Sequence, residues 1–414
     1  MKKYLFIASL LYTVGGYSQN SNSPYSVIGI GDIENNFYNR TSGMANTGYA
    51  YRNDRYMINN NPASYTALQQ QFFAIELSGR AQFINYAGTP VNTTSNSSKD
   101  FAIKRLAVGT KINKHWASGI GLAPFSTANY GFSATKPITG SPVQLPATYD
   151  GNGSVNQVYW NNAVEVFKHF SLGVQASYLF GSLNQTENLF TSELQESLTT
   201  TRQVFLRNFY FTYGAQYYLP INKHWDAVVG GTFSNKTKLA SEATVTVTDN
   251  NGQLLSSVIT KDDYFKLPNS TGVGVSLTKN KKYTWTADYK YQNWTATNFS
   301  GPGYSLQDVN RGSVGFEVAN KKQVFNNYFE RSYFQAGAYF GTSYLSINGE
   351  QLKEMGVTFG YGFTSLRNPL AGHIVLEIGQ RGTEKSGLVK EKFVNIGFTV
   401  SYRDFWFTKG RKYN

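Results

Sequence analysis

The chain has 414 residues, with 38 Lys and Arg against 25 Asp and Glu, 39 Gly, 30 Tyr, 29 Phe and no cysteine. The lack of cysteine excludes disulfides, thiolate metal sites and a cysteine nucleophile. No apolar run reaches about 18 residues, which excludes a bundle of membrane-spanning helices. Tyr, Phe and Val mixed with Gly, Asn, Ser and Thr suit a closed all-β barrel instead, with an apolar outside, a polar inside and aromatic girdles.

Residues 1–18 read as a signal peptide. Lys2 and Lys3 supply the positive start, Leu5 to Val14 the short apolar run, and Gly16-Tyr17-Ser18 a small-x-small cleavage site. Residues 19–69 carry too little apolar surface to fold alone. They end in Asn59-Asn60-Asn61-Pro62-Ala63-Ser64, where asparagines favour turns and Pro62 removes a donor. This segment reads as a hatch, or plug, that needs walls around it.

The walls follow in 70–408. Period-2 alternation predicts roughly fourteen strands, from 71–87 through 115–131, 201–219 and 282–295 to 391–405. In 391–405, Val394, Ile396, Phe398, Val400 and Tyr402 share one face, and Asn395, Gly397, Thr399, Ser401 and Arg403 the other. The polar face is mostly Gly, Ser, Thr, Asn and Gln, unlike the Lys- and Glu-rich face of a soluble sandwich. Short basic turns recur at Asn113-Lys114-His115-Trp116, Lys168-His169-Phe170, Asn222-Lys223-His224-Trp225 and Asn280-Lys281-Lys282-Tyr283. Between them the sequence predicts long polar loops, at Thr89 to Asp100, Lys136 to Gly151, Ser192 to Thr200, Leu239 to Lys266 and Thr297 to Val309. Short turns at one end and long loops at the other make a 14-stranded antiparallel transmembrane barrel. An even strand count places both termini in the periplasm, with 409–414 as a basic tail. The expected location is the outer membrane of a Gram-negative bacterium.

No catalytic set emerges. His115, His169 and His224 fall in separate turns and His373 starts a strand, so no metal site or cofactor is expected. No Gly-x-Ser-x-Gly occurs and no Ser–His–Asp set suggests itself. The chain reads as no enzyme, and without a basic cluster it reads as no nucleic-acid binder. Alternation turns several charges inward: Glu76, Arg80, Glu165, Asp288, Lys290, Glu317, Arg331, Glu377 and Arg403. A network locking plug to wall is the expected role. Pro124 interrupts the third strand, in Gly119-Ile120-Gly121-Leu122-Ala123-Pro124-Phe125. Proline cannot donate to the ladder, so a break in the wall is expected there.

Asn61-Pro62-Ala63, Ser42-Gly43-Met44-Ala45-Asn46-Thr47-Gly48, Gly119-x-Gly121-x-x-Pro124-Phe125 and Leu267-Pro268 before Gly272-Val273-Gly274 together resemble the FadL/TodX family of outer-membrane hydrophobic-compound transporters. Glu377-Ile378-Gly379-Gln380-Arg381-Gly382-Thr383, then Glu391 and Trp406-Phe407, resembles a branch of that family from Bacteroidota. The resemblance implies an N-terminal hatch containing Asn61, Pro62 and Ala63. It also implies lateral exit of a hydrophobic ligand into outer-membrane lipid at a kink formed by Gly119, Gly121, Pro124 and Phe125. The expected function is uptake of small hydrophobic molecules by that route. The alternative is a non-transporting barrel serving as a subunit of an outer-membrane protein secretion or assembly complex. Bulky Tyr49, Tyr51, Arg52 and Arg55 in the hatch, the long Leu239 to Lys266 segment and the basic tail favour the alternative.

Overall fold

The computed structural model describes residues 23–88, 96–137, 144–191, 196–324, 327–365 and 369–405. The predicted signal peptide and basic tail, with Trp406 and Phe407, lie outside the described residues. Strand β1 (Asp32–Ile33) and three short 3-10 turns precede the wall. The wall begins with β2 (Phe72–Ala87), β3 (Ser97–Lys111), β4 (Trp116–Pro137), β5 (Gln144–Phe167), β6 (Phe170–Thr191) and β7 (Glu196–Pro220). One wall position is shared by β8 (Trp225–Ser234) and β9 (Thr237–Thr248), and the next by β10 (Leu254–Leu267) and β11 (Asn269–Lys279). After β12 (Tyr283–Asn293), the short β13 (Ser300–Gly301) and β14 (Tyr304–Leu306) sit in a loop. Then come β15 (Val309–Val324), β16 (Asn327–Ile347), β17 (Glu350–Thr364), β18 (Leu370–Arg381) and β19 (Lys390–Phe405). Strand β19 pairs with β2 from Phe405↔Phe72 to Lys390↔Ala87, closing a 14-stranded antiparallel barrel.

The alternation sorts side chains as a barrel requires. Val394, Ile396, Val400 and Tyr402 are exposed on the outer face, whereas Asn395, Thr399, Ser401 and Arg403 are buried inside. Outward Val273, Val275, Trp285, Tyr289, Val357 and Phe359 continue the same apolar surface. Such exposure suits lipid and would be costly against water. The recurring Asn-Lys-His-Trp turns form by one device. Asn113 Oδ1 accepts from the His115 and Trp116 amides, and Asn222 Oδ1 from those of His224 and Trp225. The asparagine replaces the ladder partners that the turn removes.

Three predicted loops are instead largely strand. The ladder between β4 and β5 runs to Pro137↔Gln144, and that between β6 and β7 to Thr191↔Glu196. Leu239 to Lys266 forms β9 and β10, paired with each other, and β9 also pairs with β7. Polar strand residues look like loop when the apolar repeat is short, as at Ala243, Val245 and Val247, and here paired backbone overrides that signal.

Two bulges also alter the predicted facing. Asn320 pairs with Ser332 but Lys321 with Glu330, so Arg331 is the extra residue and is exposed. A bulge reverses which parity faces inward. Glu330 therefore takes the inward place predicted for Arg331. Likewise Ser78 pairs with Arg105 and Gly79 with Ile103, so Lys104 is extra. Consecutive Lys104 and Arg105 are consequently both buried.

Candidate functional site

The N-terminal segment from Ser23 to Leu68 is enclosed by the ring, and its contacts define the site. At the turn end, Asn61 begins the 3-10 turn Pro62–Ala67 by accepting from the Ala63 amide at 3.0 Å. Its Nδ2 donates to the carbonyls of Tyr49 (2.7 Å), Ala215 (3.0 Å) and Gly231 (3.2 Å). Pro62 and Ala63 press on Gly173 and Gly214, where any Cβ would collide with them. Glycine is required at these two wall positions by close approach rather than by φ.

Arg40 is the centre of a buried knot. Its guanidinium makes paired bonds to Glu317 (2.8 and 3.0 Å) and to Glu330 (2.5 and 2.8 Å). It stacks 3.7 Å from the Tyr333 ring, and Tyr51 and Gln335 donate to Glu317. Around the ring, Asp288 accepts from the Gly48 and Tyr49 amides at 2.7 and 3.0 Å, and Lys290 donates to Asn35. Glu377 accepts from Tyr339 and Asn395. Arg403 donates to the Arg55 carbonyl and to Thr364, and lies 4.3 Å from the Tyr56 ring centre. Glu165 is half-buried at the turn end, where it acts electrostatically on Arg52 and Lys111. His373 is the fourth residue of β18, not its first, and is buried in the wall against the Tyr333 ring. No group of three or more His, Cys, Asp or Glu that could hold a metal occurs among the described residues.

At the loop end the segment turns apolar. Tyr25, Ile28 and Ile30 join one buried cluster with Val155, Leu179, Leu206, Phe265, Trp294 and Tyr344. Arg381 anchors this end with a bidentate pair to Asp32 at 2.9 Å and a contact to Glu391 at 2.7 Å. Tyr25 donates to the Val389 carbonyl.

The wall is incomplete between β3 and β4. Their ladder runs from Lys111↔Ala117 only to Leu106↔Leu122 and stops there. Pro124 lies two residues beyond, followed by a bulge at Phe125 in the register with β5. Gly119 and Gly121 lie below the break, paired on both sides, and make room for Tyr65 and Tyr159. The freed edge of β4 is taken by the N-terminal segment itself. Asp32 and Ile33 pair with Thr127 and Ser126, and the Glu34 amide donates to the Phe125 carbonyl at 2.9 Å. Glu34 then reaches across to Lys104 on β3, at 2.8 Å. Burial works against the Glu34 charge, but the Lys104 and Arg80 cations outweigh it and hold the carboxyl below its ordinary range. Beside this clasp lies a cavity of about 200 Å³ lined by charged side chains, including Arg80, Lys104, Arg311, Glu354, Glu377 and Arg381. Its walls suit water and ions, not a hydrocarbon.

Sequence reasoning missed Arg40, Glu34, Lys104, Arg105 and Asp32 as parts of this site. The Lys104-Arg105 doublet inside an alternating apolar strand was the one available signal, since two adjacent charges cannot both face inward without a bulge. Arg105 bonds to Glu76, with both side chains only 1% exposed. Nothing local marks Arg40 or Glu34, whose partners are far along the chain.

The arrangement of a closed 14-stranded ring around its own N-terminal segment is that of FadL-type outer-membrane barrels. The toluene transporter TodX of Pseudomonas putida superposes with a TM-score of 0.62 at 15% identity, over 91% of this chain and 99% of that one. The Ralstonia pickettii toluene transporter TbuX gives 0.57 at 16%, over 88% and 97%. A Pseudomonas aeruginosa FadL homologue gives 0.54 at 13%, over 87% and 97%. What is shared at these identities is the fold. No curated protein matches the chain. The BamG family model matches residues 1–414, and the chain belongs to that family.

Proposed function

We propose that this chain is a non-transporting FadL-like barrel, a subunit of an outer-membrane protein secretion or assembly complex. One observation carries the reading: Ser23–Glu34 packs across the way from the loop end to the β3–β4 break. Tyr25, Ile28 and Ile30 join the buried apolar cluster inside the loop end, and Asp32 and Ile33 cover the β3–β4 break. The cavity beside the clasp is charged, and the wider one of about 560 Å³ at the loop end, beside Val27, Ile28, Tyr130, Tyr149 and Tyr304, is separated from the break by the segment. Membership of the BamG family is compatible with this role. In this reading residues 1–18 are a signal peptide, 19–69 a hatch, 70–408 the barrel and 409–414 a basic tail. The short turns and both termini face the periplasm, and the hatch is a permanent plug whose Asn61, Pro62 and Ala63 fasten it to the wall. Gentle extraction from the native membrane tests it. A stoichiometric complex with no bound hydrophobic molecule is expected, whereas a lone barrel carrying a lipid or hydrocarbon overturns it.

The second reading is hydrophobic uptake, favoured by the break beside Pro124 and by the fold shared with the toluene transporters. There β1 would be a gate that must leave β4 for ligand to exit sideways. Ile33 and Ser126 are register partners, and antiparallel partners lie about 4.5–5.5 Å apart, within disulfide range. The chain has no cysteine, so Ile33→Cys with Ser126→Cys gives one unambiguous lock. Uptake that stops on oxidation and returns on reduction supports the gate. Physiological function that persists through oxidation supports the permanent plug.

A further inference from the structure

We propose that the outer edge of β10 is a docking site for an extended segment of another outer-membrane or cell-surface protein, which adds to the sheet as a strand. This rests on the partner reading above and places one contact of the complex. Strands β9 and β10 rise beyond the wall as a fin, with β7 on the far side of β9. Among the described residues, nothing pairs with the other edge of Leu254–Lys261. Its neighbour in the wall, β12, ends at Asn293 opposite Asn269, below the fin.

The free edge is apolar on both faces. Leu254 is 58% exposed, Val258 54% and Ile259 62%, and Leu255 is comparably open. These residues are not in the lipid belt. Val258 lies roughly 35 Å along the strand from Asn269, or about 25 Å higher at a 45° tilt. Tyr289 and Tyr291, beside β11, mark the aromatic rim below. Between Leu254 and Thr260 there is no charge and no proline. Exposed edges ordinarily carry one or the other to prevent pairing. An unpaired row of amides and carbonyls between apolar side chains is complementary to one thing, another extended backbone with apolar residues at alternate positions. Lys261 ends the row, 77% exposed and 3.5 Å from a Glu242 that is itself 50% exposed, so an acidic residue there on the incoming segment would be favoured.

A second copy fits poorly. Copies in one membrane share a two-fold axis along the normal, so two such edges rise in the same sense and, at a tilt of about 45°, cross instead of running antiparallel. The mutual bond exchange of a symmetric antiparallel pair is then lost. A seven-residue addition is small by the standard of stable interfaces, which suits a contact supplemented elsewhere in a membrane complex.

The test places a photo-crosslinking residue at Ser256, Val258 or Thr260 of the full-length protein in its native membrane, with Phe359 on the lipid face as control. Crosslinks to one partner that step along a single extended segment, two residues per two-residue move, are the expected result. Amides alternate between the β9 side and the free side. One of Ser257→Pro and Val258→Pro therefore spares the β9 ladder, and that variant should abolish the stepped pattern while the barrel still shows heat-modifiable migration. A co-purified complex without stepped crosslinks overturns the docking site and leaves the partner reading intact. Crosslinks from β10 to β10 overturn it in favour of a homodimer. Absence of both complex and crosslinks removes both readings.

Discussion

Two junctions of the barrel are built oppositely. The closure between β19 and β2 joins the ends of the wall and is paired throughout, from Phe72 to Ala87. The junction between β3 and β4 joins two strands separated only by a four-residue turn, yet it is paired for less than half of the length of β3. Distance along the chain would predict the reverse, because long loops cost more to close. The break therefore reflects local sequence, with Pro124, the Phe125 bulge and the Lys104 bulge meeting at one height. It also shows what the N-terminal segment supplies, since β1 and the Glu34–Lys104 pair restore what β3 leaves unbonded.

The largest expected effect comes from releasing the segment on the far side of the ring. Arg40→Ala leaves Glu317 and Glu330 buried without their cation, at a cost of about 3–5 kcal/mol. Limited proteolysis should then cut within residues 23–68 while the β19–β2 closure survives. A protected segment in this variant would show that the gap, not the knot, holds it. Gly173→Val drives a side chain into Pro62 and Ala63, with an overpacking cost of about 1–3 kcal/mol. The same digestion should reveal partial release of the Asn-Pro-Ala turn.

Smaller effects belong to the gap. Glu34→Gln removes the charge that spans it, and exchange of the Glu34-position amide, bonded to Phe125, should quicken about tenfold, or about 1.4 kcal/mol. Amides of the β19–β2 ladder should not change. The pH dependence is the mildest test. The Glu34 carboxyl is held below its ordinary range when folded, so its contribution is complete above the unfolded carboxylate value and is lost as pH falls through the lower folded one. Exchange at the gap should therefore be flat from pH 7 to about 5 once corrected for intrinsic rates, and should rise in more acid solution. In Glu34→Gln that rise should vanish; its persistence would assign the acid sensitivity to other carboxylates, such as those around Arg381.

Much of this molecule is written in local pattern. Alternation such as Val394 to Arg403 determines which face meets lipid, and the Asn-Lys-His-Trp repeats determine the turns, because period and turn chemistry act over a few residues. Pro124 marks a break for the same reason, since a missing amide is a property of one residue. Partnership was decided only by the closed ring. Arg40 meets Glu317 and Glu330, and Asp32 meets Arg381, because closure brings strands from the far end of the chain around the N-terminal segment. Arg331 shows the limit most plainly. Its parity pointed inward, but one bulge in the pairing with β15 turned it out and set Glu330 in its place, and a bulge is a property of two strands together.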